Sequence, residues 1–311
     1  MADKKYRLVT RSDFDGLVCA VILKTKGLID EIKFAHPKDM QDGKIAITDR
    51  DITTNLPYVK EAHLVFDHHL SETLRIEGTP KNHIIDPDAP SAARVVYDYY
   101  GGEAAFPNIS LEMMDAVDTA DSAQFTSADI IYPEKWALLS FIMDSRTGLG
   151  RFHDFEMSNY DLMMDLIDRC TTLTIEEILE LPEVKARIDF CLKNEPNFYK
   201  QLNRCATVYD NVVVLNLLEE EVIYPGNRFK IYTIFPACNV SIHMIWGLNK
   251  QNIVLAVGKS ILNKTSPVNI GELMLEYGGG GHQNAGTCQI EIDKAKAVCQ
   301  EIVARINEMS E

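Results

Sequence analysis

Four short stretches place acids or imidazoles where an apolar segment ends. "LVTRSDFD" supplies Asp13 and Asp15, "IAITDRD" supplies Asp49 and Asp51, "LVFDHH" supplies Asp67, His68 and His69, and "DTADSAQF" supplies Asp118 and Asp121. A single aspartate after a strand more often caps the next helix than binds a metal. A pair of acids can equally well open a helix at its positive end. The repetition is what points to chemistry, because several converging carboxylates repel one another and resist burial without a cation. The histidines suit Mn²⁺ or a similar divalent ion better than Ca²⁺, which prefers an all-oxygen cage. A further stretch, "GGGGHQNAG" (278–286), has four glycines before His282. Such a loop can bring backbone N–H groups close to an anion, with His282 as a proton donor. The competing reading is a flexible turn, although four glycines cost much entropy to order.

These residues act together only if the elements carrying them share an edge. "YRLVT" (6–10), "EIKFAH" (31–36), "KIAIT" (44–48) and "HLVFD" (63–67) read as strands. "DGLVCAVILKTKG" (15–27) reads as an apolar helix closed by Gly27, and 91–100 as a helix capped by Asp88 or Ser91. Strands alternating with helices predict a parallel sheet covered on both faces, whose strand carboxyl ends line the ligand crevice. From 111 to 205 the pattern is helical. Met113, Met114 and Val117, and Leu162, Met163, Leu166 and Ile167, form core stripes rather than a cofactor box. The charged stretch "LPEVKARIDFCLKNEPNFYKQLNR" reads as a connecting helix. Beyond 206 come strands, a hairpin turn at Asn249–Asn252, the short helix "IGELMLEY", the strand "TCQIEI" and a final helix over 293–309. The predicted fold is α/β: a parallel-sheet lobe with a helical insertion (1–185), a linker helix (186–205) and a smaller α+β lobe (206–311).

The 311 residues are 46% apolar and 25% charged, enough for about two domains with real cores. A net charge of −15 without any lysine or arginine run opposes long nucleic acid as a partner. A phosphate substrate would need local help from a metal, backbone N–H groups or a few placed cations. No apolar run is long enough to span a membrane, and "MADKKYRLVTRSD" lacks a secretory leader, so a cytoplasmic location is expected. Seven cysteines with no C-x-x-C spacing argue against a disulfide framework or a cysteine zinc site.

Taken together, the Asp67-His68-His69 triplet, Asp13-Phe14-Asp15-Gly16, Asp49, Asp121 and the GGGGH stretch resemble the DHH superfamily of phosphoesterases with its C-terminal DHHA1 domain. The likeness covers both halves of the chain in order, within the exopolyphosphatase-related and short-oligonucleotide phosphodiesterase branch. It implies two lobes with a cleft between them and one or two Mn²⁺ ions, with Mg²⁺ or Co²⁺ as substitutes. Asp15, Asp49, His68 and Asp121 would form one metal site; Asp13 and Asp49 would serve the other, with Asp49 bridging. His69 would approach the phosphate or the leaving group, and Asp67 would orient a histidine or contact a metal. His282 and the amides of Gly280 and Gly281 would grip a phosphate.

Two departures stand out. Val9 and Arg11 occupy positions where the family often has histidine and asparagine, so one metal site is a ligand short and Arg11 becomes a candidate phosphate contact. Leu262 in "GKSILNKT" replaces an arginine, which leaves Ser260, Asn263 or Lys264 as substitutes. Asp144, Arg146, Arg151, His36 and Arg50 are further contenders. The expected function is hydrolysis of a phosphoester or phosphoanhydride bond in a short substrate: polyphosphate, a short oligoribonucleotide, a nucleoside bisphosphate, or a linear or cyclic dinucleotide. A phosphate-ligand sensor slowed by Val9 is the alternative. A processive single-strand exonuclease is opposed by the acidity. No membrane partner is expected, and a homodimer is left open.

Overall fold

The computed structural model describes residues 5–78 and 80–310. The chain forms two compact units. One comprises the residues up to Gln124 with Pro133–Asp189, the other Phe125–Tyr132 with the residues from Phe190 onward.

The first unit opens with β1 (Tyr6–Arg11), α1 (Phe14–Thr25), β2 (Ile29–Ala35) and α2 (Pro37–Gln41). It continues with β3 (Asp51–Thr54), β4 (Leu64–Asp67), α3 (Leu70–Arg75) and β5 (His83–Ile85). The five strands are all parallel in the order β2-β1-β3-β4-β5, so the carboxyl ends of β1, β3 and β4 lie side by side. Helices α4 (Ala92–Tyr99), α5 (Gly102–Ala105) and α6 (Leu111–Asp121) follow. After α7 (Ser127–Ile131), which belongs to the second unit, come α8 (Lys135–Met143), α9 (Asn159–Thr172) and α10 (Ile175–Leu179). Then α11 (Pro182–Cys205) passes from one unit to the other at Asp189.

α1 shows how the first core is built. Asp13 caps it by accepting from Gly16 N at 3.0 Å, and every residue from Phe14 to Leu23 is buried. A helix apolar on all sides belongs inside the molecule. It packs against α4, α6 and α9 and joins Leu8, Ile52 and Phe66 of the sheet in one cluster. Gly27, at φ +76, lies just beyond its end as the sequence suggests.

One predicted strand does not form. Residues 44–48 are irregular, and Ile45 and Ile47 pack against a small cluster of Val9, Ala35, Met40 and Leu56. Thr48 donates from N and Oγ1 to Asp51 Oδ2 at 2.6 and 3.1 Å, while Arg7 Nε bonds Asp51 Oδ1 at 2.7 Å. This turn starts β3 at Asp51. The polar DITT segment is wholly buried, with Thr54 Oγ1 donating to Thr10 Oγ1 at 2.7 Å across the ladder.

The second unit holds β6 (Ala206–Tyr209), β7 (Val212–Asn216), α12 (Lys230–Ile234), β8 (Val240–Trp246) and β9 (Ile253–Lys259), then α13 (Ile270–Glu276), β10 (Gly280–His282), β11 (Ala285–Ile290) and α14 (Ala295–Glu308). Its sheet runs β10-β11-β9-β8-β7-β6, antiparallel except for β7 with β8. Alternate residues of the strands, such as Val240, Ile242 and Met244, join Leu273 and Met274 of α13 and Ile302 and Ile306 of α14 in its core. α7 packs on α12 within this unit.

The glycine-rich stretch is largely a strand rather than a loop. Of the four glycines only Gly278 has positive φ, at +72. Gly280–His282 pair with β11 as an edge strand. A Cβ on Gly279 would lie 2.0 Å from Thr287 O, and one on Gly281 2.3 Å from Ala285 O. Close backbone packing therefore accounts for glycine at 279 and 281.

Candidate active site

Asp13 and Asp15 sit at the start of α1, just past the carboxyl end of β1. His68 and His69 follow the carboxyl end of β4, and Asp121 ends α6. Oxygen or nitrogen atoms of Asp15, His68 and Asp121 all lie within 4.8 Å of one another, close enough to share a metal ion. The amino end of α4 reaches Asp15, His68 and the helix that bears Asp121. Ala92 N and Ala93 N donate to the Asp15 carboxylate at 3.2 and 2.7 Å. Ser91 caps α4 and donates from Oγ to Asp118 Oδ1 at 2.7 Å, one turn before Asp121 on α6. Arg94 holds the other Asp118 oxygen at 2.8 Å through Nε. Ala89 O, just before the helix, lies 3.2 Å from His68 Nδ1.

That last contact tests whether the residues fit a cation. With Nδ1–H donated to Ala89, the Nε2 lone pair of His68 faces Asp121 Oδ2 at 2.8 Å. Nε2 is buried and makes no well-aligned hydrogen bond. Two lone pairs so close need a proton or a metal between them. Burial pulls the His68 pKa down, but the adjacent Asp121 and the charge of Asp15 outweigh it and hold the ring at about 9. Burial pushes the Asp15 carboxyl well above its usual range, and the charges of Asp121 and Asp13 push it further. Burial also raises Asp13, against the pull of Arg11. Asp121 is lowered because His68 overcomes its burial. The cluster thus resists full ionisation unless positive charge is added. One imidazole and two carboxylates suit a divalent ion of the Mn²⁺ type and leave positions for water and substrate.

Around this triad the remaining residues divide clearly. Asp13 is anchored at three points: Gly16 N at 3.0 Å and Asn55 Nδ2 at 3.4 Å on Oδ1, and Arg11 Nε at 2.9 Å on Oδ2. Asp67 is 1% exposed and accepts from His68 N at 2.8 Å and His69 Nδ1 at 2.7 Å, fixing the second imidazole. Asp144 binds Arg146 through its backbone N at 2.9 Å and its Nε at 2.7 Å. The guanidinium of Arg151 packs against Gly148, where a Cβ would lie 2.0 Å from it.

Asp49 is corrected by the structure. It lies exposed in the turn before β3, at the amino end of that strand, while the triad is at the carboxyl ends. The strand-end position belongs to Asn55, buried at 1% and in the left-handed region with φ 53. Arg50 shares the turn with Asp49, and His36 caps α2 by accepting from Lys38 N at 3.1 Å. In the second unit, His282 is exposed on β10 with Gly280 and Gly281. Ser260 accepts from Leu262 N and Asn263 N at 3.2 and 2.9 Å, so it holds a turn. Asn55, the α4 amides and Arg94 were not singled out from sequence, whereas Asp118 was named as a candidate acid and Ser91 as a helix cap. Placing β3 at DITT would have exposed Asn55; nothing local marks the α4 amides or Arg94.

No family model matches the chain, and no curated protein matches it. Among solved structures, it is similar to the pGpG-specific phosphodiesterase PggH from Vibrio cholerae, with 59% identity, coverage of 98% of this chain and 99% of that one, and a TM-score of 0.85. Cdc45 from Entamoeba histolytica matches at 10% identity over 98% and 96% of the two chains, with a TM-score of 0.50. RecJ from Thermus thermophilus, in complex with Mn²⁺, matches at 15% identity over 98% and 52%, with a TM-score of 0.48. With its Asp-His-His triplet, the assembled triad and a relative of this identity along almost the whole chain, the protein belongs to the DHH superfamily of phosphoesterases.

Proposed function

We propose that the protein is a phosphodiesterase that cleaves a short linear dinucleotide of the pGpG class into mononucleotides. The observation that carries this reading is 59% identity along nearly the full length of a pGpG-specific phosphodiesterase. The convergence of Asp15, His68 and Asp121 supports it.

Asp15, His68 and Asp121 would hold the cation, with Mn²⁺ the first choice. When bound, the ion supplies a Lewis acid for the phosphoryl oxygens and makes a coordinated water more acidic. The protein's own groups do the rest. Arg11 offers a guanidinium to the phosphoryl oxygens. His69, held by Asp67, delivers a proton to the departing 3′ oxygen as the P–O bond breaks and water adds to phosphorus. In the second unit, β10 is the edge strand of its sheet, and we assign Gly280, Gly281 and His282 on it to holding a phosphate group. All seven cysteines are free, which fits a reducing, cytoplasmic setting.

The test is chromatographic. With Mn²⁺, purified protein should convert pGpG to GMP at least tenfold faster than it cleaves a trinucleotide or polyphosphate, and Asp15→Ala should lose at least about 10³-fold. Preference for polyphosphate, or an unaffected Asp15→Ala, would overturn the assignment.

A further inference from the structure

We propose that this edge of the sheet holds a single divalent ion and that the guanidinium groups of Arg11 and Arg146 supply the second positive charge that phosphoryl transfer requires. The inference rests on the hydrolytic reading above and deepens it.

The resemblance allows for a second ion on Asp13 and Asp49, and the residues present do not fit it. Asp49 is at the opposite end of β3. The residue in its place, Asn55, carries no charge and turns its Nδ2 donor toward Asp13. Val9 is fully buried among Ala35, Met40 and Leu56 and has no ligand atom. That leaves Asp13 alone, with Oδ1 engaged by Gly16 and Asn55 and Oδ2 by Arg11. Among the described residues, Asp15, His68 and Asp121 are the one cluster of three or more acids, histidines or cysteines placed to bind a metal.

One ion does not balance the charge. The carboxylates of Asp13, Asp15 and Asp121 outnumber a single divalent cation, and the deficit would repel a phosphodiester anion. Arg11, 2.9 Å from Asp13, cancels that one charge, and the phosphodiester anion brings another. Arg146 is the cation we assign to the charge that the substrate brings. Ser12, between Arg11 and Asp13, lines one small cavity with Asp144 and Ser145, and Asp144 holds Arg146 beside it. The Arg146 side chain is 54% exposed, so it can reach a ligand, while Asp144 restrains it through both N and Nε. A restrained guanidinium is pre-organised for two parallel bonds to phosphate oxygens.

Ion counting and kinetics test the two parts. Metal-stripped protein is dialysed to equilibrium with excess Mn²⁺, and bound metal is measured by mass spectrometry beside calorimetric titration. One ion per chain is expected in the parent, in Arg11→Gln and in Arg146→Gln. Each variant should unfold at the parent's temperature, bind pGpG at least tenfold more weakly in Ca²⁺, and lose at least thirtyfold in kcat/KM with Mn²⁺. Arg146→Lys should recover only part of the loss, since a lysine cannot form the paired contact. Two ions per chain would overturn the inference even if pGpG is cleaved, leaving the hydrolase reading intact. One ion with both glutamine variants within twofold of the parent would overturn the arginine roles. One ion in a chain that neither binds nor cleaves pGpG would sink the hydrolase reading and the arginine roles with it, but not the count.

Discussion

His69 and Asp67 make the most local of the chemical arguments. A buried carboxylate 2.7 Å from Nδ1 fixes which nitrogen of His69 is oriented toward it. His69→Ala should therefore lower kcat on pGpG by about 10²- to 10⁴-fold with little change in Mn²⁺ affinity. Asp67→Asn should fall between that variant and the parent, read by the same kinetics. A second residue-scale prediction concerns stability. His243, in the middle of β8, is pushed down to about 4, chiefly by burial and secondarily by Arg228. Above pH 6.5 it is neutral in both the folded and unfolded chain and contributes nothing to pH dependence. Below 6.5 the unfolded chain takes up a proton that the folded one refuses, so stability should fall as pH drops from 6.5 toward 4. Urea denaturation across that window should show the loss, and His243→Phe should flatten it. At this scale the sequence pattern singled out Asp13, Asp15 and His68, each just past an apolar run, and the resemblance singled out Asp121 by its distance beyond the triplet. The pattern misplaced Asp49 for a physical reason. KIAIT alternates like a half-buried strand, whereas DITTN looks like a turn, and the bonds of Asp51 to Arg7 and Thr48 and the paired hydroxyls of Thr10 and Thr54 offset the burial of the latter.

Two elements carry predictions of their own. The amino end of α4 ties Asp15, His68 and the α6 segment bearing Asp121 into one frame. Removing a support of this kind typically weakens metal binding by about 10- to 100-fold. Ser91→Ala and Asp118→Ala should do so in a Mn²⁺ titration, and Asp118→Asn, which keeps an acceptor for Ser91, should restore part of the affinity. β10 argues from packing instead. Gly279→Ala and Gly281→Ala drive a methyl group into carbonyl oxygens of β11, which are backbone and cannot step aside. Each should cost about 2–4 kcal/mol in chemical denaturation. Helix ends and hairpins were well marked by Gly27, Ser91 and the polar turn before β9. The strand character of Gly280–His282 was not, since glycine has no β signature and the requirement comes from β11, which lies later in the chain.

For the whole molecule, the charge of −15 sets what can approach it. A 40-nucleotide single-stranded RNA should give no gel shift at physiological salt and should not be degraded processively, because the sequence has no lysine or arginine run to repay the repulsion. Among the described residues no helix is long and apolar enough to cross a membrane. The sequence indicated two bodies and a helix between them, but gave no sign that Phe125–Tyr132 packs away from its neighbours in the chain. That excursion means the polypeptide passes from one body to the other at Gln124, back at Tyr132, and over again at Asp189. A single cut placed anywhere in the gene therefore yields a fragment either missing α7 or carrying foreign chain with it. Anyone dissecting this protein will need a spliced design, with α7 grafted onto the carboxyl-terminal piece and a short bridge closing the gap it leaves.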